Sequence, residues 1–509
     1  MVSRCKTIAF SGIQAIPVDV QVMLSPGEVK MSIVGLADKA VAESRERVRS
    51  ALHASGLSMP TQRVTVNLAP ADLPKEGSHY DLPIALALMA AMGAIPGDAL
   101  EGYVVMGELG LDGTIAPVAG ALPAAIGANA LGKGLICPAA SGPEAAWAGP
   151  DMDILAPRSL IGMANHFKGT QVLSRPIAKV RDGNGGLGDM ADIRGQETAK
   201  RALEVAAAGG HNMLMIGPPG SGKSLLASRL PGILPPLSPK ELLEVSMISS
   251  IAGLLADGQL SSARPFRTPH HSASMAAMVG GGLKAKPGEV SLAHNGVLFL
   301  DELPEFTPQV LDSLRQPLET AETVIARANH RVSYPSRLQL IAAMNPCRCG
   351  MAGEPGHQCR RGVRCASDYQ GRISGPLLDR IDLRIEVPAV AASDLIRPQP
   401  GEASASIAER VARARAIQVE RYAAFGSNAV TNAHASNTII EEIAKPDAAG
   451  QALLEEAADA LKFSARGYHR MLKVARTLAD LEGVKTVGRI HLAEAISYRM
   501  AGDRAMQAA

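Results

Sequence analysis

The pattern of apolar and polar positions changes twice along this chain. Near its start, residues 18–24 alternate apolar and polar side chains, which is typical of a strand with one buried face. In the middle, residues 213–216 and 297–300 are unbroken apolar runs, which predict strands buried on both faces of a parallel sheet. Near the end, apolar residues such as Ile407 and Val411 recur at helical spacing. The pattern therefore predicts three units of different architecture.

The first unit, residues 1–170, is predicted to be an α+β domain with mixed strand order. Strands are predicted at residues 18–24, 31–34, 63–68 and 104–109, and helices at residues 38–55 and 82–92. The strand at residues 31–34 is expected to be the hairpin partner of the strand at residues 18–24.

A glycine-rich, polar stretch follows this unit. Residues 181–189 read Arg-Asp-Gly-Asn-Gly-Gly-Leu-Gly-Asp without periodicity, as linkers do. We therefore expect a linker at residues 171–190, an α/β core at residues 191–390 and a helical lid domain at residues 391–509. Helices of this lid are predicted at residues 404–425, 438–443, 448–461, 467–481 and 487–500.

The apolar run at residues 213–216 leads into a glycine-rich loop that opens an amphipathic helix. The loop fits G-x-x-x-x-G-K-[ST] and consists of Gly217, Pro218, Pro219, Gly220, Ser221, Gly222, Lys223 and Ser224. Its glycines let backbone N–H groups turn towards phosphate oxygens, and the helix N-terminus adds the positive end of its dipole. Lys223 is expected to reach the β- and γ-phosphates and the Ser224 hydroxyl to bind Mg²⁺. The loop therefore predicts a P-loop site for ATP and Mg²⁺.

Two other predicted strands of the core end in polar side chains. The run at residues 297–300 ends at Asp301 and Glu302. Asp301 is expected to hold Mg²⁺, directly or through water, and Glu302 to orient and deprotonate the attacking water. The strand at residues 338–344 ends at Asn345, a position that in parallel sheets lies beside the γ-phosphate. Solvated acids and a turn asparagine are the plainer interpretations of these residues.

Several core motifs resemble those of AAA+ ATPases. The segment Ile193-Arg-Gly195-Gln resembles the lead-in to the adenine pocket, and Asn345 is similar to a sensor-1 residue. The segment Ser-Gly-Pro-Leu-Leu-Asp-Arg380-Ile-Asp resembles the arginine-finger motif of the branch that contains magnesium chelatase and the MCM helicases. The resemblance implies that Arg380 neutralises charge on the γ-phosphate of a neighbouring subunit. A local ion pair with an adjacent aspartate is the alternative.

The start of a long helix in the predicted lid carries two further candidate arginines. The segment Ser-Ala-Arg466-Gly-Tyr-His-Arg470 resembles the sensor-2 region of AAA+ proteins, in which an arginine faces the γ-phosphate. Motif register favours Arg466 over Arg470. A solvated arginine on a helix face is the alternative for either residue.

Two stretches of the first unit, residues 67–77 and 107–118, resemble the proteolytic domain of the Lon family. The resemblance implies a ribosomal S5 domain 2-like fold. In that family a Ser–Lys dyad cuts peptides, but here His79 takes the position of the nucleophile, one residue after Ser78. The position of the lysine falls near Leu122. A serine without a positioned base is a weak nucleophile, so we expect a protease-like fold without proteolysis.

Taken together, these resemblances span nearly the whole chain, which is similar to the ComM/YifB family of bacterial Mg-chelatase-like AAA+ proteins linked to natural transformation. The resemblance implies a hexameric DNA helicase that promotes branch migration during homologous recombination. Two other functions stay open: the ATPase subunit of a metal-chelatase-like complex, and an ATP-dependent unfoldase or protease-associated protein. The missing Ser–Lys dyad argues against self-contained proteolysis.

Two insertions in the core are candidates for DNA contact. They span residues 264–290 and 323–335, and the second is predicted to be a hairpin. Their notable basic residues are Arg267, His270, His271, Lys284 and Lys286 in the first and Arg327, His330 and Arg331 in the second. Lysines and arginines contact phosphates without reading sequence, so branched or single-stranded DNA is the expected partner. Solvated loops packed against an adjacent subunit are the alternative.

Four of the six cysteines follow the candidate sensor-1 residue. Cys347, Cys349, Cys359 and Cys365 form the pattern C-x-C-x₉-C-x₅-C, whose thiolates could hold a structural Zn²⁺, with His357 as a spare ligand. Free thiols or a labile disulfide are equally open.

Bulk composition changes this picture little. The 509 residues carry a net charge of +2, so any basic surface must be local. No long uncharged apolar run indicates a membrane span, and the first residues do not resemble a signal peptide. We therefore expect a cytoplasmic protein.

Overall fold

The computed structural model describes residues 2–181, 188–255, 258–282, 285–326, 331–350, 352, 362, 364–390, 401–461 and 464–507. Two large sheets organise these residues: one of seven strands in the first third of the chain and one of five strands in the middle. Among the helices of these ranges, none is both long and apolar enough to cross a membrane.

The seven-stranded sheet has the order β3-β4-β2-β1-β5-β8-β9. Its strands, and the small β6–β7 ladder beside it, are β1 (Val2–Ser11), β2 (Gln14–Ser25), β3 (Met31–Val34), β4 (Arg63–Ala69), β5 (Tyr103–Val105), β6 (Glu108–Leu109), β7 (Ile115–Ala116), β8 (Gly134–Ile136) and β9 (Ile154–Leu155). Its helices are α1 (Lys39–Ala54), α2 (Asp81–Ala91), α3 (Ala121–Ala130), α4 (Gly142–Ala145) and α5 (Leu160–Phe167). We call these elements the N-terminal unit. Helices α1, α2 and α5 share one apolar core with the sheet, and α3 shares another.

The predicted hairpin between residues 18–24 and 31–34 is wrong. Strand β3 pairs in parallel with β4, whereas β2 runs antiparallel to both β1 and β4. The real hairpin joins β1 to β2 through a tight turn at Gly12, whose φ of 63° favours glycine. Strand β1 was not predicted, and the single strand predicted at residues 104–109 is two short ones, β5 and β6.

Between the two sheets, the predicted linker contains a short strand, β10 (Val180–Arg181). It pairs in parallel with β12 (Leu260–Ser261), so part of this stretch is held against the core.

The five-stranded sheet is entirely parallel and has the order β13-β16-β19-β11-β20. Its strands are β11 (Met213–Ile216), β13 (Phe266–Arg267), β16 (Val297–Leu300), β19 (Gln339–Met344) and β20 (Leu383–Glu386). All residues of β11, β16 and β19 are buried, as the unbroken apolar runs predicted. Because the strands are parallel, the residues that follow β11, β16 and β19 meet at one edge of the sheet.

Helices and two hairpins surround this sheet. The helices are α6 (Glu197–Gly209), α7 (Lys223–Arg229), α8 (Pro239–Ala252), α9 (Met275–Val279), α10 (Glu289–Leu292), α11 (Pro308–Ser313), α12 (Arg315–Thr320), α13 (Cys365–Gln370) and α14 (Gly375–Leu378). The hairpins pair β14 (Gly280–Gly281) with β15 (Lys286–Pro287), and β17 (Glu322–Ala326) with β18 (Arg331–Pro335). The C-terminal helices are α15 (Ser404–Ala424), α16 (Asn437–Ile443), α17 (Ala448–Leu461), α18 (Ala465–Leu481) and α19 (Arg489–Gln507).

The N-terminal unit packs directly on both hairpins. A Cβ on Gly12 would lie 2.4 Å from the carbonyl oxygen of Ser333, so the β1–β2 turn touches the backbone of β18. Ile13 packs against the apolar cluster that both hairpins form, which consists of Ala285, Ile325, Val332 and Tyr334. A cavity of about 390 Å³ lies between the unit and the hairpins, and its wall includes Ala285 and Lys286 of the first hairpin and Val332 and Tyr334 of the second. The N-terminal unit therefore contacts β18 and faces the turn of the β14–β15 hairpin.

Candidate active site

The glycine-rich loop leaves the carboxyl end of β11 in contact with its neighbouring strands. The N–H of Gly217 donates to the carbonyl of Met344 at 3.2 Å. A Cβ at Gly217 would lie 2.0 Å from the carbonyl oxygen of Val387, so no larger residue fits there. Gly220 and Gly222 have φ values of 78° and 89°, which side-chain-bearing residues rarely adopt. The glycines of the motif are therefore required by the backbone path itself.

Lys223 is buried at the centre of this loop. Its Nζ donates to the carbonyls of Gly217 and Pro218 at 2.8 and 2.7 Å, and lies 3.3 Å from both Ser221 Oγ and Asn345 Oδ1. Burial lowers the pKa of Lys223, and the nearby carboxylate of Asp301 opposes that shift. All four contacts are to uncharged acceptors. A triphosphate would be a stronger acceptor for this ammonium group, because ionised acceptors form the stronger hydrogen bonds.

The serine that follows the lysine meets the first acid of the strand end. Ser224 Oγ donates to Asp301 Oδ2 at 2.5 Å, and the N–H of Glu302 donates to Asp301 Oδ1 at 2.9 Å. The hydroxyl and the carboxylate are hard oxygen ligands close enough to share one cation, so these residues fit Mg²⁺. The side chain of Glu302 is 54% exposed and, with Ser224 and Asp301, lines a cavity of about 460 Å³. A buried loop lysine, a candidate metal-binding pair and an accessible carboxylate thus meet at one end of the sheet.

The predicted lead-in to the adenine pocket adjoins the same loop. Ile193 is buried in the core, and Gly195 has a φ of 61°. Gln196 was not among the predicted site residues, yet its Nε2 donates to the carbonyl of Pro388 at 2.6 Å and to that of Ser221 at 3.3 Å. This amide therefore ties the lead-in to the phosphate loop. Its position next to Gly195 in the motif could have identified Gln196 from the sequence.

Arg380 does not reach the phosphate loop of its own chain. It lies three residues before β20, whose first residue, Leu383, pairs with Met213 at the start of β11. The loop begins beyond Ile216, roughly 13 Å further along the strand at about 3.3 Å per residue. The Arg380 guanidinium forms an ion pair with Glu319 and donates to the carbonyl of Pro376 at 2.7 Å. The predicted alternative was a local ion pair with an adjacent aspartate. An ion pair does form within the chain, but its acid is Glu319.

The two candidate arginines of α18 also lie at this opposite edge. Arg466 is 3.7 Å from Glu319, the same carboxylate that pairs with Arg380. Arg470 donates to Asp382 at 2.5 Å. Burial alone would raise the pKa of Asp382, but Arg470 and His211 outweigh it, so the pKa is lowered. Glu319 thus brings Arg380 and Arg466 together, and within one chain both are separated from Lys223.

Three of the four predicted zinc ligands converge. The sulfur atoms of Cys347, Cys349 and Cys365 lie within 4.8 Å of one another, and Cys347 Sγ is 2.9 Å from Cys349 Sγ. Cys359 and the spare ligand His357 lie outside the described residues. A Cβ on Gly350, next to this cluster, would lie 2.6 Å from the ring of Pro219. The cysteine cluster therefore rests against the phosphate loop.

The N-terminal unit contains no Ser–Lys pair at the predicted position in its described residues. The hydroxyl of Ser78 donates to the carboxylate of Glu108. His79 is buried, with Nε2 2.9 Å from the carbonyl oxygen of Ile8, and burial lowers its pKa. Leu122, near the expected lysine position, is a buried residue of α3. The absence of proteolysis stays a prediction.

The basic residues of the two insertions have different environments. Arg267 donates to Glu289 at 2.6 Å, so its guanidinium is part of an ion pair within the chain. Lys286 and Arg331 are exposed on the two hairpins. Lys284, Arg327 and His330 lie outside the described residues. The catalytic, nucleotide-binding and metal-binding roles assigned to all these side chains stay predictions.

Comparison with known protein families accounts for most of the chain. Residues 189–395 match the family described as magnesium chelatase, subunit ChlI, and residues 401–499 match the C-terminal part of that subunit. Residues 20–141, in the N-terminal unit, match the family described as subunit ChlI of Mg-chelatase.

Individual relatives extend the similarity to nearly the full length. The chain is 43% identical to Competence protein ComM of Haemophilus influenzae, over 96% of each chain, and 42% identical to YifB of Escherichia coli, over 97% of this chain and 96% of that protein. It is 26% identical to the magnesium-chelatase 38 kDa subunit of Rhodobacter capsulatus, over 61% of this chain and 87% of the relative. The chain therefore belongs to the ComM/YifB family of Mg-chelatase-like AAA+ ATPases, whose membership implies ATP and Mg²⁺ as cofactors.

Proposed function

We propose that the chain is an ATP-driven motor that forms a ring, a hexamer, and moves DNA branch points during homologous recombination. The observation that carries the ring is the separation of Arg380 from Lys223 within one chain. An arginine that neutralises γ-phosphate charge must approach the nucleotide, so here it has to come from a neighbouring subunit. The ring follows if every subunit both receives and supplies such an arginine.

Within one subunit, the proposed division of labour follows the contacts at the phosphate loop. Lys223 binds the phosphates, Ser224 and Asp301 hold Mg²⁺, and Glu302 takes the proton of the attacking water. Asn345, 3.3 Å from Lys223 Nζ, positions that water. Mg²⁺ supplies charge neutralisation at the phosphates when it is bound.

We assign Arg466 to the same subunit interface as Arg380. Both arginines pair with Glu319, and the hydrogen bond from Arg380 lowers the pKa of that carboxylate. Glu319 stays ionised and holds the two guanidinium groups side by side. We expect both guanidinium groups to act on the neighbouring subunit's nucleotide. There they would donate to phosphate oxygens instead of to Glu319.

A DNA substrate is supported by exposed cations on the two hairpins and by the name of a relative. Lys286 and Arg331 are exposed on the two hairpins, and Lys286 also lines the cavity between its hairpin and the N-terminal unit. Such side chains contact phosphates without reading base sequence. The Haemophilus relative is called a competence protein. A role in recombination of incoming DNA, in the cytoplasm, is the function that we propose.

The test is branch migration of a synthetic four-way junction with ATP. We expect product from the wild-type chain and none from Glu302→Gln, which keeps the fold and the phosphate loop. The double variant Lys286→Glu with Arg331→Glu should keep ATPase activity without DNA but lose junction processing. Junction processing by Glu302→Gln at the wild-type rate would contradict a role for ATP hydrolysis in it.

The magnesium-chelatase matches favour one second candidate, an ATPase subunit that drives metal insertion. A porphyrin metallation assay with a chelatase partner complex, run beside the junction assay, separates the two. ATPase activity stimulated by that complex and unaffected by DNA would favour the second candidate.

We also propose a structural Zn²⁺ at the cysteine cluster. Three sulfurs within 4.8 Å of one another suit a tetrahedral thiolate site, which four-coordinate zinc prefers. The metal would hold Cys365 to the Cys347–Cys349 segment, which follows Asn345 and lies beside the phosphate loop. We expect about one zinc per chain in purified protein, and loss of that zinc in Cys365→Ser. Wild-type protein without zinc, purified in the absence of chelators, would contradict the site.

A further inference from the structure

The backbone carbonyl of Arg380 is held from two sides. Asn212, which immediately precedes β11, donates to it from Nδ2 at 2.9 Å. Arg470 donates to the same oxygen from Nη1 at 3.1 Å. Arg470 lies on α18, one of the C-terminal helices α15–α19, which we call the lid. The backbone of Arg380 is therefore fixed between the start of the strand that leads to its own phosphate loop and a helix of the lid.

A buried polar network around Asp382 makes this junction rigid. The side chain of Asp382 is 3% exposed, and it accepts from Arg470 at 2.5 Å and from the N–H of Asn212 at 3.1 Å. His211 Nδ1 lies 3.4 Å from the same carboxylate, and its Nε2 is 2.8 Å from Thr477 Oγ1, two turns after Arg470 on α18. A buried ion pair whose other hydrogen bonds are also made favours one geometry, so α18 and the Arg380–Asp382 segment are joined firmly.

The guanidinium of Arg380 is linked to the same helix through Glu319. Glu319 pairs with Arg380 and lies 3.7 Å from Arg466, which is in the first turn of α18. Arg470 follows Arg466 by one helical turn, so one face of α18 reaches both the side chain and the backbone of Arg380. The two links differ in one respect. Glu319 is 55% exposed and is exchanged for phosphate oxygens in the proposed ring, whereas Arg470 holds a backbone oxygen for which no nucleotide competes.

We propose that Arg470 is a positioning residue that fixes Arg380 to the lid of its own subunit. Through this contact, the lid of one subunit determines where the guanidinium of Arg380 meets the nucleotide of the next subunit. Placement matters because a shift of about 1 Å in a catalytic group can cost about 100-fold in rate. This role presupposes that Arg380 serves a neighbouring subunit, so it rests on the proposed function. Arg470 does not act on its own subunit's nucleotide, because both of its hydrogen bonds go to the Arg380–Asp382 segment.

The test is the ATPase rate of Arg470→Met, alone and in equal mixtures with each of two other variants. Alone, its kcat should fall about 100-fold, while the KM for ATP should stay within about twofold of wild type because its phosphate loop is intact. Mixed with Lys223→Ala, which supplies a correctly held Arg380, turnover should rise about tenfold or more above either protein alone. Mixed with Arg380→Ala, which supplies no arginine, turnover should not rise.

The two mixtures distinguish this role from a sensor role. If Arg470 acted on the nucleotide of its own subunit, turnover would recover with Arg380→Ala and not with Lys223→Ala, and that result would overturn the inference. Because Arg470→Met leaves the carboxylate of Asp382 without its ion pair, a second variant combines it with Asp382→Asn. The double variant should recover in the same mixture. Recovery in neither mixture, by a double variant that forms rings and unfolds at the wild-type temperature, would also overturn the inference.

Two further variants on α18 complete the test. One nitrogen of Arg470, Nη1, makes both hydrogen bonds, so the ammonium of Arg470→Lys can replace it and should restore kcat to within about fivefold of wild type. A folded Arg470→Lys protein as slow as Arg470→Met would contradict the role. His469 is the matched control, because its ring contacts Glu441 at 2.6 Å and the carbonyl of Ala465 at 2.7 Å, both within the lid. His469→Ala should keep kcat within about twofold of wild type.

A mixture of Arg380→Ala with Lys223→Ala, run beside these assays, keeps the two failures apart. If that mixture stays inactive while rings form, the proposed function fails, and the role of Arg470 fails with it. If that mixture regains turnover while Arg470→Met recovers with Arg380→Ala, or keeps the wild-type kcat by itself, the proposed function stands and the inference is wrong.

Discussion

Two serine–carboxylate pairs in this molecule look alike and differ in what surrounds them. Ser224 donates to Asp301 at the edge of the five-stranded sheet, and Ser78 donates to Glu108 in the N-terminal unit. Each pair lines a cavity of a few hundred cubic ångströms, about 460 Å³ for the first and about 390 Å³ for the second. An open cavity and a paired hydroxyl are therefore not sufficient to identify an active site.

The difference is the supply of positive charge. Beside Ser224, the ammonium of Lys223 is held within the glycine-rich loop, where it donates to the carbonyls of Gly217 and Pro218. In the N-terminal unit, Lys75 is buried but turns its ammonium to the carbonyl of Pro70, and His79 turns to Ile8. Lys286 lines the same cavity but is exposed on its hairpin rather than held in a loop. Phosphate chemistry needs fixed cations and a metal, so the first pair suits it and the second does not.

Removing the loop lysine should have the largest effect. Lys223→Ala deletes the ammonium that the phosphate loop holds, so ATP turnover should fall by about 10³-fold or more. Steady-state ATPase assays measure this, with exposed Lys240→Ala as the control for loss of a lysine. Turnover by Lys223→Ala near the wild-type rate would end the ATP-site assignment.

Replacing the proposed base should separate binding from hydrolysis. Glu302→Gln keeps the shape of the side chain but accepts no proton, so kcat should fall by about 100-fold or more. ATP binding, followed by a fluorescent nucleotide, should be unchanged because Glu302 makes no contact with the loop lysine. Equal losses in binding and turnover would show that Glu302 shapes the site rather than acting as the base.

The second serine should contribute nothing to turnover. Ser78→Ala removes the hydroxyl that Glu108 accepts, and we expect ATPase activity within about twofold of wild type. Casein cleavage should be absent from wild type and variant alike. Cleavage that is present in wild type and lost in Ser78→Ala would restore the N-terminal pair to the status of a catalytic site.

Local sequence patterns predicted the five-stranded core well because each of its strands and motifs is a short continuous stretch of sequence. The apolar runs at residues 213–216 and 297–300 became fully buried strands, and the loop and acids that follow them meet as parallel strands require. Strand β1 was missed because residues 2–11 mix polar and apolar side chains without strict alternation. The pairing of β1 with β2 depends on a turn at Gly12. Strand β3 pairs with β4 because of tertiary packing, which the local pattern does not contain.

The contacts that tune the site were not predictable from spacing. His271 meets Glu302 because β13 lies beside β16, which is a matter of strand order. Arg380 and Arg466 share Glu319 although that acid is 61 residues from Arg380 along the chain, so no motif connects the three. Both arginines were predicted from the sequence, and the carboxylate that joins them was not.

In the proposed ring, each nucleotide site is completed by the arginine of another subunit. The direct measurement is ATPase activity of Arg380→Ala and Lys223→Ala proteins, each alone and mixed in equal amounts under assembly conditions. Each alone should be inactive, and the mixture should regain turnover, because a Lys223→Ala subunit still supplies Arg380 to the intact phosphate loop of its neighbour. Full activity of Arg380→Ala alone, or a mixture as inactive as its components while rings form, would contradict the account.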